Sequence, residues 1–190
     1  AAICVGSLEG ARLSVSKRAL ENIEAVSGRM DYVKNSKGIS IVVDYALTPD
    51  SMEKIGCLLR RAQTNHEFKR IIWVLGSCGE RDTGKRPIMG EIVAKYADFV
   101  IVTNEDPYNE DPMQIINAVF EGVITGGKHE KEDCWRILKR REGIKKALSL
   151  AQEGDLVLVT GKGAEETMAV GNERISWNDK RVIQELLEEV

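Results

Sequence analysis

Short β-branched runs alternate with longer segments in which apolar residues recur every three or four positions, from residue 39 to the end of the chain. The runs at residues 39–44, 70–75, 99–103 and 156–160 are apolar on both faces, which predicts strands covered on two sides. Helical spacing predicts helices at residues 50–62 (Met52, Ile55, Leu58, Leu59, Ala62), 87–97, 112–121 and 141–151 (Ile144, Ala147, Leu148, Ala151). A last stripe of Val182, Ile183, Leu186 and Leu187 predicts a closing helix over residues 179–190. Strand and helix in turn predict an α/β fold: a mostly parallel sheet with helices on both faces, joined by right-handed crossovers.

Upstream the pattern changes. "LSVSKRALENIEAV" puts Ala19, Leu20, Ile23 and Val26 at helical spacing behind a cap at Ser14 or Ser16, which predicts a connecting helix. "GRMDYV" and "GISIVVDYA", separated by the turn-forming "KNSKG", predict a β-hairpin over residues 29–44. Residues 126–138 carry no clear period, and no internal repeat or low-complexity tract is present.

A chain of 190 residues that is 43% hydrophobic and 30% charged has enough apolar surface for one globular domain with an attached segment. The formal charge of -3, with both signs interspersed, offers no basic field to nucleic acid or an anionic membrane. Cys4, Cys57, Cys78 and Cys134 lie far apart with no CxxC pairing, so neither a zinc site nor a disulfide framework is signalled. Reduced thiols, no apolar run of membrane-spanning length and no signal-peptide pattern lead to the expectation of a soluble, cytoplasmic protein. There is no GxxxxGK[ST] loop and no GxGxxG after the first strand, so any nucleotide chemistry is incomplete within these residues.

In such a sheet ligands bind beyond the carboxyl ends of the strands, which directs attention to "DYALTPDS", "GSCGERDTGKRP", "NEDPYNEDP" and "GKGAEE". Asp44 at a strand end suits a ribose hydroxyl, and equally a backbone amide or helix cap. Arg81, Lys85 and Arg86, in a glycine-bearing loop leading into a helix, suit a phosphate or carboxylate; a solvated basic loop is the alternative. Gly161 and Gly163 let backbone approach a ligand, and Glu165 can face an ammonium group. His66 and His129 fall in charged, solvent-facing stretches, and Trp73, Trp135 and Trp177 are read as packing residues.

Taken together, "GRMDYV", "VVDYALTPDS", "GERDTGKRPIMGEI", "VTNEDPYNEDP" and "GKGAEE" have the order and spacing of one family. Over nearly its whole length the chain resembles the carboxyl-terminal half of Mur ligases, the tripeptide synthetases among them. The resemblance implies a Rossmann-like carboxyl-terminal domain over residues 29–190, preceded by residues 1–28 as the tail of a central ATPase domain and a linker helix. It implies ATP and Mg2+ as cofactors, with the phosphate loop and Mg2+ expected in the central domain. The implied partners are UDP-MurNAc-dipeptide and an amino acid, whose amine attacks the phosphorylated dipeptide carboxylate to add the third stem-peptide residue in peptidoglycan biosynthesis. No complete catalytic set and no metal ligands are implied within this segment, which alone is expected to be inactive.

Residue by residue, the resemblance gives Arg29 and Asp44 to ATP, and Arg81, Glu105, Asp106, Pro107, Tyr108, Gly161 and Glu165 to the amino-acid pocket. Members that use diaminopimelate read DNPR where this chain reads EDPY, with Tyr108 in the arginine's place. The more acidic loop suits the distal ammonium of a diamino acid such as lysine or ornithine. Leu47 and Ala164 stand where the family has histidines. A second reading therefore stays open, a nucleotide- or amino-acid-binding module without turnover on the same fold.

Overall fold

The computed structural model describes residues 1–23 and 26–189. Two helices open the chain, α1 (Ala2–Leu8) and α2 (Leu13–Glu21), and neither buries a residue. The expected serine cap is corrected: α2 starts behind an extended Arg12 with no side-chain cap, so Ser14 and Ser16 lie within the helix. It ends at Glu21 with Asn22 as its cap, and Val26 forms an isolated bridge to Arg29 instead of extending the helical stripe. Residues 24 and 25 of that predicted stripe lie outside the described residues.

The domain proper runs β1 (Asp31–Tyr32), β2 (Ser40–Asp44), α3 (Pro49–Thr64), β3 (Ile71–Leu75), α4 (Lys85–Tyr96), β4 (Phe99–Thr103) and α5 (Pro112–Thr125). It continues through β5 (Cys134–Ile137), α6 (Arg140–Leu150), β6 (Leu156–Thr160), β7 (Thr167–Val170), β8 (Glu173–Ser176) and α7 (Asp179–Glu188). Six strands form one sheet in the order β1-β2-β6-β3-β4-β5, with β1 antiparallel and every other pairing parallel. β7 and β8 form a separate antiparallel hairpin.

The alternation of side chains along each strand divides the core in two. Trp73, Leu75, Val100 and Leu158 meet Met52, Leu59, Met89, Val93, Ile116 and Val119 from α3, α4 and α5 on one face. Ile41, Ile72, Val74 and Val159 meet Ile144, Ala147, Val182, Ile183 and Leu186 from α6 and α7 on the other. Helix starts follow their capping chemistry. Thr48 and Ser51 close a capping box on α3 ahead of Pro49, while Asp111 and Asn178 accept from Met113 and Arg181 at the starts of α5 and α7.

Two elements lie outside the sequence expectations. β5 is a four-residue edge strand in which Cys134 is buried and Arg136 exposed, too short for a period to stand out. The β7–β8 hairpin turns at Gly171 and Asn172, a two-residue glycine-asparagine turn that is itself a hairpin signal.

Beneath the carboxyl ends of the strands lies a fully buried ion pair. Arg140 donates to both oxygens of Asp179 at 2.8 and 2.7 Å, and also to the carbonyls of Thr160 at 2.9 Å and Asn104 at 3.3 Å. One guanidinium thus joins α6, α7 and the ends of β4 and β6. Burial works against the Arg140 charge, but Asp179, together with Glu105 and Asp106, more than offsets it and raises the guanidinium pKa. Arg140→Met strands Asp179 without a counter-charge and is expected to cost about 3–5 kcal/mol in urea unfolding, with R140M/D179L recovering part of it; a single-variant loss under about 1 kcal/mol contradicts this role.

Candidate functional site

Four loops leave the same end of the sheet, and each carries part of the predicted site. At the end of β2, Asp44 is buried, and its two oxygens accept from the amides of Met30 and Ala46, both at 2.8 Å. It thereby holds the turn at Gly28, whose nitrogen donates to Asp31 Oδ2 at 3.2 Å. Gly28 has φ +65, and a Cβ there would collide with the backbone of Gly163 and Ala164. Only glycine allows the turn and the loop after β6 to touch.

Arg29, carried by that turn, is exposed and stacks over the Tyr45 ring at 4.6 Å. Tyr45 donates from its hydroxyl to Glu165 Oε1 at 2.8 Å. This bond and burial push the Tyr45 pKa up to about 12, so the phenol stays protonated near neutral pH. Ser27, Gly28, Arg29, Tyr45, Ala164 and Glu165 line an open hollow of about 260 Å³.

After β3 the basic trio separates. Arg86 is buried, pairs with Glu110 at 2.9 Å and donates to the carbonyl of Cys78 at 3.2 Å. Lys85 donates to the carbonyl of Leu47 at 2.9 Å, pinning the β2 loop to α4. Arg81 is exposed and, among the described residues, has no hydrogen-bond or ion-pair partner. Of the three, Arg81 is the exposed one.

After β4, the four residues from Glu105 to Tyr108 are held inward. Asp106 and Tyr108 adopt left-handed backbone, φ 37 and 50, which non-glycine residues hold only where surrounding contacts enforce it. Asp106 accepts from the amide of Ala169 at 2.7 Å and from Lys162 Nζ at 2.7 Å. The Tyr108 carbonyl accepts from Gly171 at 2.7 Å, and the Pro107 carbonyl closes against Gly79. Lys162 is wholly buried and also bonds Glu165 Oε2, so two carboxylates from two loops share one ammonium. Burial works to lower the Lys162 pKa, but these two carboxylates more than offset it and the net shift is upward.

Glu105 is sealed below, with the Cys78 thiol donating to its Oε1 at 3.2 Å. Gly161, with φ +115, lies against Glu105 Oε2, and a Cβ there would collide with that oxygen. Burial pushes the Glu105 pKa up, only partly opposed by Arg140, the Cys78 hydrogen bond and Lys162. The same burial, with Glu105 beside it, pushes the Cys78 thiol up to about 12. Among the described residues the buried side-chain polar atoms without a partner are Ser77 Oγ, Arg86 Nε and Glu105 Oε2, all near the ends of β3 and β4.

The predicted residues therefore gather at one end of the sheet, with Gly161 and Glu165 from the β6 loop joining Arg29 to the 105–108 loop. The sequence reading missed Lys162, Tyr45 and Cys78. Lys162 is the middle residue of "GKG", and its signal was a cation one step from two glycines beside an acidic loop. His66 and His129 are exposed, as expected. Among the described residues no helix is long and apolar enough to cross a membrane.

Comparison with known proteins gives a consistent picture. Residues 28–163 match the family model described as Mur ligase, glutamate ligase domain. The chain is 41% identical over 189 residues to a UDP-N-acetylmuramoyl-L-alanyl-D-glutamate--2,6-diaminopimelate ligase of Syntrophomonas wolfei, covering 98% of this chain and 37% of that protein. It is 38% identical over 165 residues to a UDP-N-acetylmuramyl-tripeptide synthetase of Borreliella burgdorferi, covering 87% of this chain and 31% of that one. A solved UDP-N-acetylmuramoyl-L-alanyl-D-glutamate--2,6-diaminopimelate ligase superposes with a TM-score of 0.74 at 29% identity, over 100% of this chain and 37% of its own. The chain thus spans 31–37% of the length of these relatives.

Because a carboxyl with a raised pKa favours its protonated form in the fold, Glu105 contributes most stability below its ordinary value of 4.5 and loses it as pH rises through the folded value. Glu105→Gln removes that loss, so its unfolding free energy relative to the unaltered protein is expected to grow as pH rises from about 4.5 toward 8 in urea titrations. A difference that stays flat with pH contradicts the upward shift of the sealed carboxyl.

Proposed function

The chain belongs to the Mur ligase family, as its glutamate ligase domain, and on that footing we propose that it is the carboxyl-terminal part of an ATP-dependent ligase that joins an amino acid to UDP-MurNAc-dipeptide as the third stem-peptide residue. The observation that carries the reading is the convergence of four loops on one face, where Glu165 touches both the Arg29 hollow and, through Lys162, the 105–108 loop. ATP supplies the phosphoryl group that activates the dipeptide carboxylate. Arg29 faces its phosphates from the mouth of the hollow. Asp44 holds the turn that carries Arg29 and keeps a lone pair on each oxygen for a ribose hydroxyl. The phosphate loop and Mg2+ belong to protein outside these residues.

Arg81 takes the carboxylate of the incoming amino acid, and Glu165 takes its ammonium. Both are bound before bond formation, so the chain's contribution is orientation and charge neutralisation. Since Asp106 is paired with Lys162 and Glu105 is sealed, the distal end of a diamino acid meets chiefly Tyr108 at this loop. The acidity of "EDPY" is in large part structural. The exposed apolar residues Ile3, Val5, Leu8, Leu13, Val15 and Leu20 of α1 and α2 then pack against the central ATPase domain.

Leu47 and the exposed Ala164, at positions where the family has imidazoles, favour a second reading, a ligand-binding module without turnover. Calorimetric binding of ATP or an amino acid by the complete protein, without product, decides for it. On the ligase reading, Arg81→Ala raises the amino-acid KM by roughly tenfold or more, since a charge-assisted hydrogen bond is lost, and leaves the ATP KM nearly unchanged. An unaltered amino-acid KM removes Arg81 from the pocket.

A further inference from the structure

Tyr45 makes two distinct contacts in the hollow. Its ring carries the Arg29 guanidinium at 4.6 Å, and its hydroxyl donates to Glu165 Oε1 at 2.8 Å. Lys162 holds the other Glu165 oxygen, so the carboxylate is gripped by one donor on each side. A carboxylate held this way presents its remaining lone pairs in one direction. Without the hydroxyl, the Glu165 side chain, still 36% exposed, is held on one oxygen only and regains rotational freedom.

We propose that Tyr45 is a positioning residue for ligation: its ring orients Arg29 for the nucleotide and its hydroxyl orients Glu165 for the incoming amine. The inference rests on the ligase reading above and adds to it a link between the two substrate sides. Ring and hydroxyl are chemically separable, which makes the two roles separately measurable. Because the phenol keeps its proton at neutral and mildly alkaline pH, the hydroxyl remains a donor throughout the working range.

The test compares Tyr45→Phe and Tyr45→Leu in the complete ligase by steady-state kinetics with each substrate varied in turn. Removing the hydroxyl alone is expected to raise the amino-acid KM by about tenfold, as expected for loss of a hydrogen bond to a charged group, with the ATP KM within about twofold of the unaltered protein. The split is expected to be the same at pH 7 and pH 9. Removing the ring as well, in Tyr45→Leu, raises both KM values. An unchanged amino-acid KM in Tyr45→Phe, or an equal rise in both, overturns the proposal. If Tyr45→Leu fails to fold, the Tyr45→Phe split decides alone. Failure of the unaltered protein to turn over removes the ligase reading and this inference with it, whereas turnover with a silent Tyr45→Phe removes only the role of Tyr45.

Discussion

The buried ammonium of Lys162 is the constraint on which the site geometry depends. A lysine with no exposed surface is tolerable only if anions replace its water, and Asp106 and Glu165 do so from different loops. Asp106 passes the constraint on through its second oxygen, which takes the amide of Ala169 in β7 of the β7–β8 hairpin. The left-handed backbone at Asp106 and Tyr108 is fixed between these partners. Beneath this layer, the Arg140–Asp179 pair ties the strand ends to two helix starts.

The arrangement separates buried, paired charges from exposed ones. Arg86, Arg140 and Lys162 are each buried and matched by a carboxylate. Arg29 and Arg81 project outward at the same end of the sheet. This division changes the meaning of the acidic 105–108 loop, in which Asp106 is matched to Lys162 and Glu105 is buried against the Cys78 thiol. On the proposed ligase reading, Tyr108 is the side chain of this loop left for a bound amino acid to meet, and a phenol lacks the two-pronged charge of an arginine.

Much of the architecture was legible in the sequence because the central strands are continuous apolar runs and the helices carry clean stripes. The strands at residues 99–103 and 156–160 have the bounds their β-branched runs suggested, and α3, expected over 50–62, runs Pro49–Thr64 behind its Thr48 cap. β5 was hidden because an edge strand of four residues with Arg136 facing solvent has no period to read. The helix expected to reach Val26 stops at Glu21 because its stripe finds no surface to bury against within this chain. In the site, the motif residues were legible from their order and spacing. Their partners were not: nothing local in "GKG" shows that Lys162 reaches Asp106 across 56 residues, and nothing in "DYA" shows Tyr45 reaching Glu165 across 120.

The central claim is that these loops serve amide-bond formation in a ligase. It is tested most directly by amino-acid-dependent phosphate release from the complete protein, given ATP, magnesium and UDP-MurNAc-dipeptide, across a panel of lysine, ornithine and meso-diaminopimelate. Release that requires both the dipeptide and one diamino acid is the predicted result, and the accepted member identifies what the Tyr108 pocket selects. No release with any member, from protein shown to be folded and to bind ATP, contradicts the account.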